Sequence, residues 1–217
     1  MTARSLPVTA VLLAALAAAL LTACGDGESK AEDDGIADAE TSRASRTPSA
    51  SAPADGKRPE TGLPAGLDMT FEWSGTGKPS SDAVFADAEQ FFRGLKRASA
   101  NHNLKDPAYS FYSTGQGLSY AVEQIKSNIE GGFAPTGSDR YFKGQVAVFG
   151  KDSAALVTCR DQTKLFSKDL KTKKVHRTDP KSEENLVLYN MGMKKDAEGV
   201  WKVSEVAVTV PAKECIQ

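Results

Sequence analysis

The sequence predicts an α+β domain in which N-terminal helices pack on a curved antiparallel sheet of about four strands. Two observations support this class. Apolar side chains recur at helical spacing between residues 84 and 129, whereas they recur with a period of two between residues 140 and 210. A run of helices followed by a run of strands is typical of α+β folds, because each element must bury an apolar face against another layer. The predicted domain spans residues 67–217.

Three helices are predicted in the first part of this domain. The first has N-cap candidates at Ser80-Ser81-Asp82 and an apolar stripe from Val84 to Ala98. The second opens at Asp106-Pro107, an N-cap followed by proline at the first helical position, and Gly115 is expected to close it. The third has a stripe from Leu118 to Ile129 and is expected to stop at a glycine pair, since glycine readily adopts the left-handed conformation that ends helices.

Four strands are predicted after the helices. In the first of them, Phe142 is expected to share a face with Val146 and Val148. In the last, the phase of the apolar residues changes near Ser204-Glu205, which predicts a β-bulge that bends the sheet. The predicted strands begin at Arg140, run from Ala154 to Asp161, lie near Asn185 to Met191, and run from Val200 to Val210.

Residues 1–23 are predicted to be an export signal. Val8 to Leu21 is almost wholly apolar and is shorter than the ~20 residues needed to cross a bilayer. The segment ends in Leu21-Thr22-Ala23-Cys24-Gly25, which resembles the lipobox of bacterial lipoproteins. That resemblance implies cleavage before Cys24, attachment of lipid to its thiol, and a location at the extracytoplasmic face of the cell membrane. The alternative is a plain secreted protein that is cut near Ala23.

After the lipidated cysteine, residues 24–66 are predicted to form a disordered tether. Between Gly25 and Lys57 the only large apolar residue is Ile36, so the segment cannot bury enough surface to offset its backbone entropy. The following domain has twenty-one basic and nineteen acidic residues. A net charge this small is not that of a nucleic-acid-binding domain, which would be clearly basic.

Five short motifs are spread over most of residues 67–217, namely Phe71-Glu72-Trp73, Asp106-Pro107-Ala108-Tyr109, Arg140-Tyr141-Phe142, Cys159-Arg160-Asp161-Gln162-Thr163-Lys164 and Glu214-Cys215. They resemble the cystatin-like α+β domains of the NTF2-like superfamily, in particular those carried by lipoproteins of high-GC Gram-positive bacteria. The resemblance implies a cone between helices and sheet, and a homodimer through the outer sheet face is an expectation that rests on it alone. The superfamily includes enzymes and binding modules, so the fold does not settle the function.

Two cysteines remain once Cys24 is lipidated. Cys159 lies late in the second predicted strand, and Cys215 follows the fourth. Because exported proteins meet oxidising conditions, an even pair predicts a disulfide between them. The alternative is two free buried thiols. No metal-ligand spacing, phosphate-binding loop or catalytic motif occurs in the sequence, so neither a metal nor a cofactor is expected.

Asp161 is the candidate catalytic residue, as the general base of an enzyme with a pocket in the cone. Strand alternation places it on the same side as Val157 and Cys159, and burial would raise its pKa into a useful range. The alternative is a local role, in which Asp161 pairs with Arg160 or Lys164 or caps the end of the strand. Aromatic residues are candidates for lining a ligand pocket, with ordinary core packing as the alternative. These aromatic candidates are Tyr109, Tyr112, Tyr141 and Trp201.

The segment 164–181 carries seven basic and two acidic residues between the second and third predicted strands. As an exposed hairpin it would contact anionic lipid headgroups, wall polymers or an envelope protein, although it would equally serve as a solvated loop. The sequence therefore favours a membrane-anchored, non-catalytic binding module over a cone-pocket enzyme. The predicted contact residues are Lys171, Lys173, Lys174 and Arg177.

Overall fold

The computed structural model describes residues 58–73 and 75–217 of the chain. The predicted signal peptide, the lipidation of Cys24 and most of the tether lie outside the described residues. In this part of the chain, no helix is both long and apolar enough to cross a membrane. The elements are β1 (Leu67–Glu72), α1 (Pro79–Ala100), α2 (Pro107–Phe111), α3 (Gly115–Gly131), β2 (Phe133–Phe149), β3 (Ser153–Asp161), β4 (Leu165–Asp169), β5 (Val175–His176), β6 (Leu186–Lys195) and β7 (Trp201–Thr209).

These elements confirm the predicted α+β class, with helices packed against a curled sheet. The sheet has the order β5-β4-β2-β3-β6-β7, all antiparallel, and β1 pairs in parallel with β2. It has seven strands where about four were predicted. The strands β4 and β5 escaped prediction because the segment that contains them is polar and shows no alternation.

The longest strand, β2, begins seven residues before the predicted start at Arg140. Its first half contains Pro135 and Gly137, which are typical of turns rather than strands. Gly137 has a φ of +95°, and a Cβ atom there would lie 2.2 Å from the carbonyl oxygen of Lys164. The glycine is therefore required where β2 passes close to the chain that leads into β4.

The observed helix ends agree in part with those predicted from the sequence. Asp106 caps α2 by accepting a hydrogen bond from the amide of Ala108 at 2.9 Å, as predicted. Gly115 does not close α2, which was the expectation, but is the first residue of α3. At the start of α1 the N-cap position is Lys78, and the carboxylate of Asp82 accepts hydrogen bonds from Thr76 instead of capping the helix.

Two bulges curl the sheet. The predicted bulge in β7 is confirmed, since the register with β6 shifts around Ser204. A second bulge in β2, at Lys143 with a φ of +52°, was not predicted. Because it inserts one residue, Tyr141 packs in the same core as Val146 and Val148. The predicted face of Phe142 is therefore wrong, and its side chain belongs to a separate cluster on the outer side of the sheet.

This outer cluster contains the disulfide. Cys159 of β3 and Cys215 of the short 3-10 helix Lys213–Cys215 are bonded, which confirms the predicted pair. The C-terminal segment thus covers part of the sheet face opposite the helices, and Ala212 packs there with Phe142. The amine of Lys143, on the β2 bulge, donates to the carbonyl oxygen of Glu214 at 3.1 Å and so joins the bulge to the same segment.

Residues 58–66, here called the strap, pack along α1. Arg97 donates to the carbonyl oxygen of Glu60 at 2.7 Å, and the side chain of Leu63 packs against the main core. The predicted boundary between tether and domain was residue 66, but these contacts begin at Arg58. The reason is that the strap, although rich in polar residues and proline, supplies charged and apolar side chains that find partners on α1.

Candidate functional site

The basic segment 164–181 folds back on itself as the hairpin β4–β5 at one edge of the sheet, here called the basic hairpin. Its tip is a fixed turn. The carboxylate of Asp169 accepts hydrogen bonds from the amides of Thr172 and Lys171, at 2.7 and 2.9 Å. These bonds, the one from Thr172 first, lower the pKa of Asp169 below its ordinary value. Asp169, one of the two acidic residues of the segment, is thus used to shape the turn.

All residues from 171 to 180 are exposed, so the four predicted contact residues lie together on one solvated hairpin. Lys171, Lys173 and Lys174 are at the tip, and the guanidinium of Arg177 lies over the ring of Phe166, 4.7 Å from its centroid. Within residues 58–73 and 75–217, none of the four forms an ion pair with a carboxylate. The hairpin therefore presents positive charge that the domain itself does not neutralise.

A second polar cluster lies inside the cone, between α1 and the sheet. Asp139 of β2 is fully buried, and its Oδ1 accepts a hydrogen bond from Arg160 Nε at 2.6 Å. The ammonium of Lys96, on α1, lies 3.3 Å from the other carboxylate oxygen. Arg160 also donates to the hydroxyl of Tyr189 at 3.4 Å, and that hydroxyl is 3.1 Å from the hydroxyl of Tyr120. We call these five side chains the cone cluster.

The protonation states of the charged groups in the cone cluster are set by burial and by the charges of their neighbours. Burial lowers the pKa of Lys96 to about 8, and the charge of Arg160 lowers it as well. Burial alone would raise the pKa of Asp139, but the charges of Arg160 and Lys96 outweigh burial and lower it. Asp139 is therefore held as a carboxylate. A carboxylate bound by two cations is a poor proton acceptor, which makes Asp139 unsuited to act as a general base.

Aromatic rings fill the rest of the cone. The ring of Tyr141 lies 4.4 Å from that of Phe92 and 4.9 Å from that of Phe71, while Tyr189 lies edge-on to Phe92 at 5.3 Å. The hydroxyl of Tyr141 is buried with no hydrogen-bond partner in the part of the chain that the structure describes, and burial raises its pKa well above the ordinary value. The interior around Asp139 is therefore closely packed.

The candidate base Asp161 lies outside this interior. It is at the end of β3, on the outer side with Cys159, where its Oδ1 accepts a hydrogen bond from the amide of Thr163 at 2.9 Å. Its other oxygen is 3.8 Å from Arg140. Asp161 shares a face with Cys159, as predicted, but the face that enters the cone is the opposite one. That face ends in Arg160, which pairs with Asp139 and not, as the alternative had it, with Asp161.

The four aromatic candidates are all buried, but they do not line one pocket. Tyr109 donates its hydroxyl to the carbonyl oxygen of Leu104 at 2.6 Å, and Tyr141 belongs to the cone. Trp201 donates its main-chain amide to Asp87 at 2.8 Å, while its indole nitrogen has no hydrogen-bond partner among the described residues. Tyr112 differs from the other three, because it contributes to a cavity of about 430 Å³ beside the strap.

Two further cavities lie elsewhere on the described surface. One, of about 540 Å³, lies beside β3, β6 and β7 and is lined mostly by apolar side chains, with Gln116, Asn190 and Glu205 as its polar members. The other, of about 200 Å³, lies beside Trp73 and Phe85. Neither has Asp139 or Asp161 in its lining. In the described residues, no group of three or more His, Cys, Asp or Glu side chains converges to hold a metal ion.

The chain was compared with known proteins. No protein-family model and no curated protein matches it. Among solved structures, it is similar to a ketosteroid isomerase-like protein from Erwinia carotovora atroseptica, with 15% identity and a TM-score of 0.42 over 59% of this chain and 94% of that one. It is also similar to the intermembrane space region of the chloroplast protein ARC6, with 11% identity and a TM-score of 0.38 over 57% of this chain and 94% of that one. Likenesses of this size assign neither a family nor an activity to the chain.

Proposed function

We propose that this chain is a membrane-anchored cell-surface lipoprotein whose folded part is a non-catalytic, NTF2-like binding module for an anionic surface of the cell envelope. The observation that carries the proposal is the basic hairpin. Three lysines lie on its fixed, exposed turn and Arg177 follows β5, and none of the four is ion-paired within the described residues. Charge arranged in this way suits phosphate-rich headgroups or wall polymers.

The strength of such a contact follows from charge and tethering. Each Lys or Arg near an anionic membrane contributes about 1 kcal/mol, and the attraction fades within a Debye length of about 10 Å. A lipid anchor at Cys24 would hold the domain near the membrane, so that each contact becomes an intramolecular event at high effective concentration. Weak, salt-sensitive attraction by the hairpin is then sufficient for function.

The cone interior supports a non-catalytic role. A general base works best with a pKa near the operating pH, whereas the two neighbouring cations lower the pKa of Asp139. Asp161 binds a turn amide and lies near Arg140 on the outer side of the sheet. Nothing in this geometry favours the alternative of a cone-pocket enzyme with Asp161 as its base.

The proposal is tested with residues 25–217, which retain every described contact and lack the lipid. We expect this protein to sediment with vesicles of phosphatidylglycerol and phosphatidylcholine, but not with phosphatidylcholine alone, and to be released as the salt concentration rises. Replacing the hairpin bases Lys171, Lys173, Lys174 and Arg177 together by Gln should weaken binding at least tenfold. A matched control replaces four other exposed bases by Gln, namely Lys105, Lys126, Lys151 and Lys213.

Both quadruple variants lose the same net charge, so only a specific role of the hairpin separates them. Equal weakening in the two variants would show that binding depends on overall charge and would contradict the proposal. Absence of binding by the unchanged protein at low salt, both to anionic vesicles and to isolated teichoic acid, would also overturn it. Binding to teichoic acid but not to vesicles would assign the wall polymer as the source of the anionic groups.

A further inference from the structure

A buried carboxylate on α1 lies beneath the strap. Asp87 is 3% exposed, and its Oδ2 accepts a hydrogen bond of 2.8 Å from the main-chain amide of Trp201, the first residue of β7. This bond joins two elements of the folded core. The position of the carboxylate is therefore set by the core and does not depend on the strap.

Arg58, in the strap, places its guanidinium against this carboxylate. Arg58 is hydrogen-bonded to Oδ1 of Asp87, and its Nη1 lies 3.4 Å from the hydroxyl of Tyr112. The same guanidinium carbon is 5.7 Å from the centroid of the Tyr112 ring. These groups line the cavity of about 430 Å³, together with Gln90. The side chain of Arg58 is 23% exposed, so the cavity is reached from solvent.

The chemistry of the cavity matches a guanidinium. A planar guanidinium directs several N–H donors in a fixed fork and also attracts the face of an aromatic ring. Here the carboxylate of Asp87 supplies the opposite charge and the hydroxyl of Tyr112 supplies a second acceptor, with its ring close by. Because Nη1 makes both hydrogen bonds, the advantage over an ammonium rests on hydration and shape: a guanidinium is more weakly hydrated, and its flat face packs on the ring of Tyr112.

We propose that Asp87 and Tyr112 form a binding site for a guanidinium group, which Arg58 occupies in cis and which an arginine side chain of a partner protein occupies when the strap is displaced. The cis contact is autoinhibitory, because a residue nine positions from β1 competes at high effective concentration with any partner. This inference is independent of the basic hairpin and of its proposed ligand.

Displacement of the strap has a direct structural consequence. The polar contacts that hold it near Arg58 are few, and they include the bond from Thr61 to Gln90 and the bond from Arg97 to Glu60. Once released, residues 58–66 would lengthen the tether by about 30 Å at full extension. Arginine binding would thus let the domain reach further from its anchor point.

The test removes the internal ligand and supplies it from solution. In residues 25–217, the variant Arg58→Ala is titrated with methylguanidinium at constant ionic strength, and binding is followed by NMR at the amide of Trp201, which donates to Asp87. We expect the variant to bind methylguanidinium at least tenfold more tightly than the unchanged protein, in which Arg58 fills the site. A peptide with one central arginine should behave in the same way.

Two controls define the site. In the Arg58→Ala background, Asp87→Asn keeps an oxygen acceptor for Trp201 but removes the charge, so methylguanidinium binding should be lost. Methylammonium should bind the Arg58→Ala variant at least tenfold more weakly than methylguanidinium does. If Arg58→Ala does not fold, Arg58→Gln replaces it. Equal affinity of the variant and the unchanged protein, binding that survives Asp87→Asn, or equal binding of the two cations would each overturn the proposal.

Discussion

Asp139 and Arg160 are hydrogen-bonded inside the cone, with 2.6 Å between Oδ1 and Nε, although they lie on different strands; Asp139 is fully buried and the side chain of Arg160 is 9% exposed. Lys96 approaches the same carboxylate from α1. Two cations thus lie around one buried anion, and the three groups join the helix layer to the sheet. Buried charges are tolerated only while they are paired, so the stability of the fold depends on Asp139.

The first prediction is that Asp139→Asn lowers the free energy of unfolding by about 3–5 kcal/mol, because it leaves two cations without their anion in the interior. Urea denaturation of the variant and of the unchanged protein measures this difference. The matched control is Asp161→Asn, which removes a partly exposed carboxylate from the adjacent strand and should cost about 1 kcal/mol or less. Equal losses in the two variants would contradict the assignment of Asp139 as the central charge.

The second prediction concerns the pH dependence of stability. Burial lowers the pKa of Lys96 from its ordinary value of 10.5 to about 8. Between pH 8 and pH 10.5 the unfolded chain therefore binds more protons than the folded protein. The contribution of Lys96 to stability must therefore rise with pH in this window. The unchanged protein should gain about 2 kcal/mol relative to Lys96→Met between pH 8 and 9.5.

Urea denaturation at several pH values measures this relative gain. The comparison with Lys96→Met is necessary because buried tyrosines act in the opposite direction. Burial raises the pKa of Tyr141 above that of the unfolded chain, which costs stability once the unfolded tyrosines ionise. That effect is common to both proteins and cancels in their difference. Parallel stability curves for the two proteins would show that the amine of Lys96 is not desolvated in the folded state.

The spacing of apolar residues in the sequence predicted those elements that have a single apolar face. The stripes of α1 and α3 and the phase change at Ser204 were read correctly, since burial against a single neighbouring layer leaves a regular pattern in the sequence. The bulge at Lys143 was missed because a lysine with positive φ gives no warning in the sequence, unlike a glycine. That one residue reversed the predicted face of Phe142.

The sites differ in how far the sequence could predict them. The basic hairpin was found because its signal is local, a run of like charges within eighteen residues. The cone cluster was missed because Lys96, Asp139 and Arg160 are separated in sequence and become neighbours only through the pairing of β2 with β3 and the packing of α1. The alternation of β3 gave two equally apolar faces, and nothing in the strand itself says which one is inside.

The third prediction concerns the disulfide. Cys159 and Cys215 are separated by 56 residues, and the chain-entropy model assigns about 4 kcal/mol to closing a loop of this size. Non-reducing mass spectrometry of the exported protein should find the two peptides linked, and reductant should lower the melting temperature. The double variant Cys159→Ala, Cys215→Ala should melt at the lower temperature with or without reductant. A melting temperature that reductant leaves unchanged in the native protein would contradict a stabilising bond.

The last prediction joins the anchor to the hairpin. A single acyl chain binds a membrane only marginally, whereas two or more chains on one residue hold it firmly, so a lipid on Cys24 should resist washing with high salt. Cys24→Ser removes the acceptor for the lipid, and the protein that is exported should appear in the medium. Any part that stays with the cells should depend on the basic hairpin and should be released by 0.5 M NaCl, since attraction between exposed charges is screened over a few ångströms at that ionic strength. Adding the four Gln substitutions of the hairpin to Cys24→Ser should remove this remaining fraction even at low salt.

Cell fractionation at two salt concentrations separates the contribution of the lipid from that of the hairpin. A Cys24→Ser protein that remains membrane-bound in high salt would contradict the lipid anchor, whereas a salt-sensitive fraction that persists without the hairpin bases would contradict the role of the hairpin.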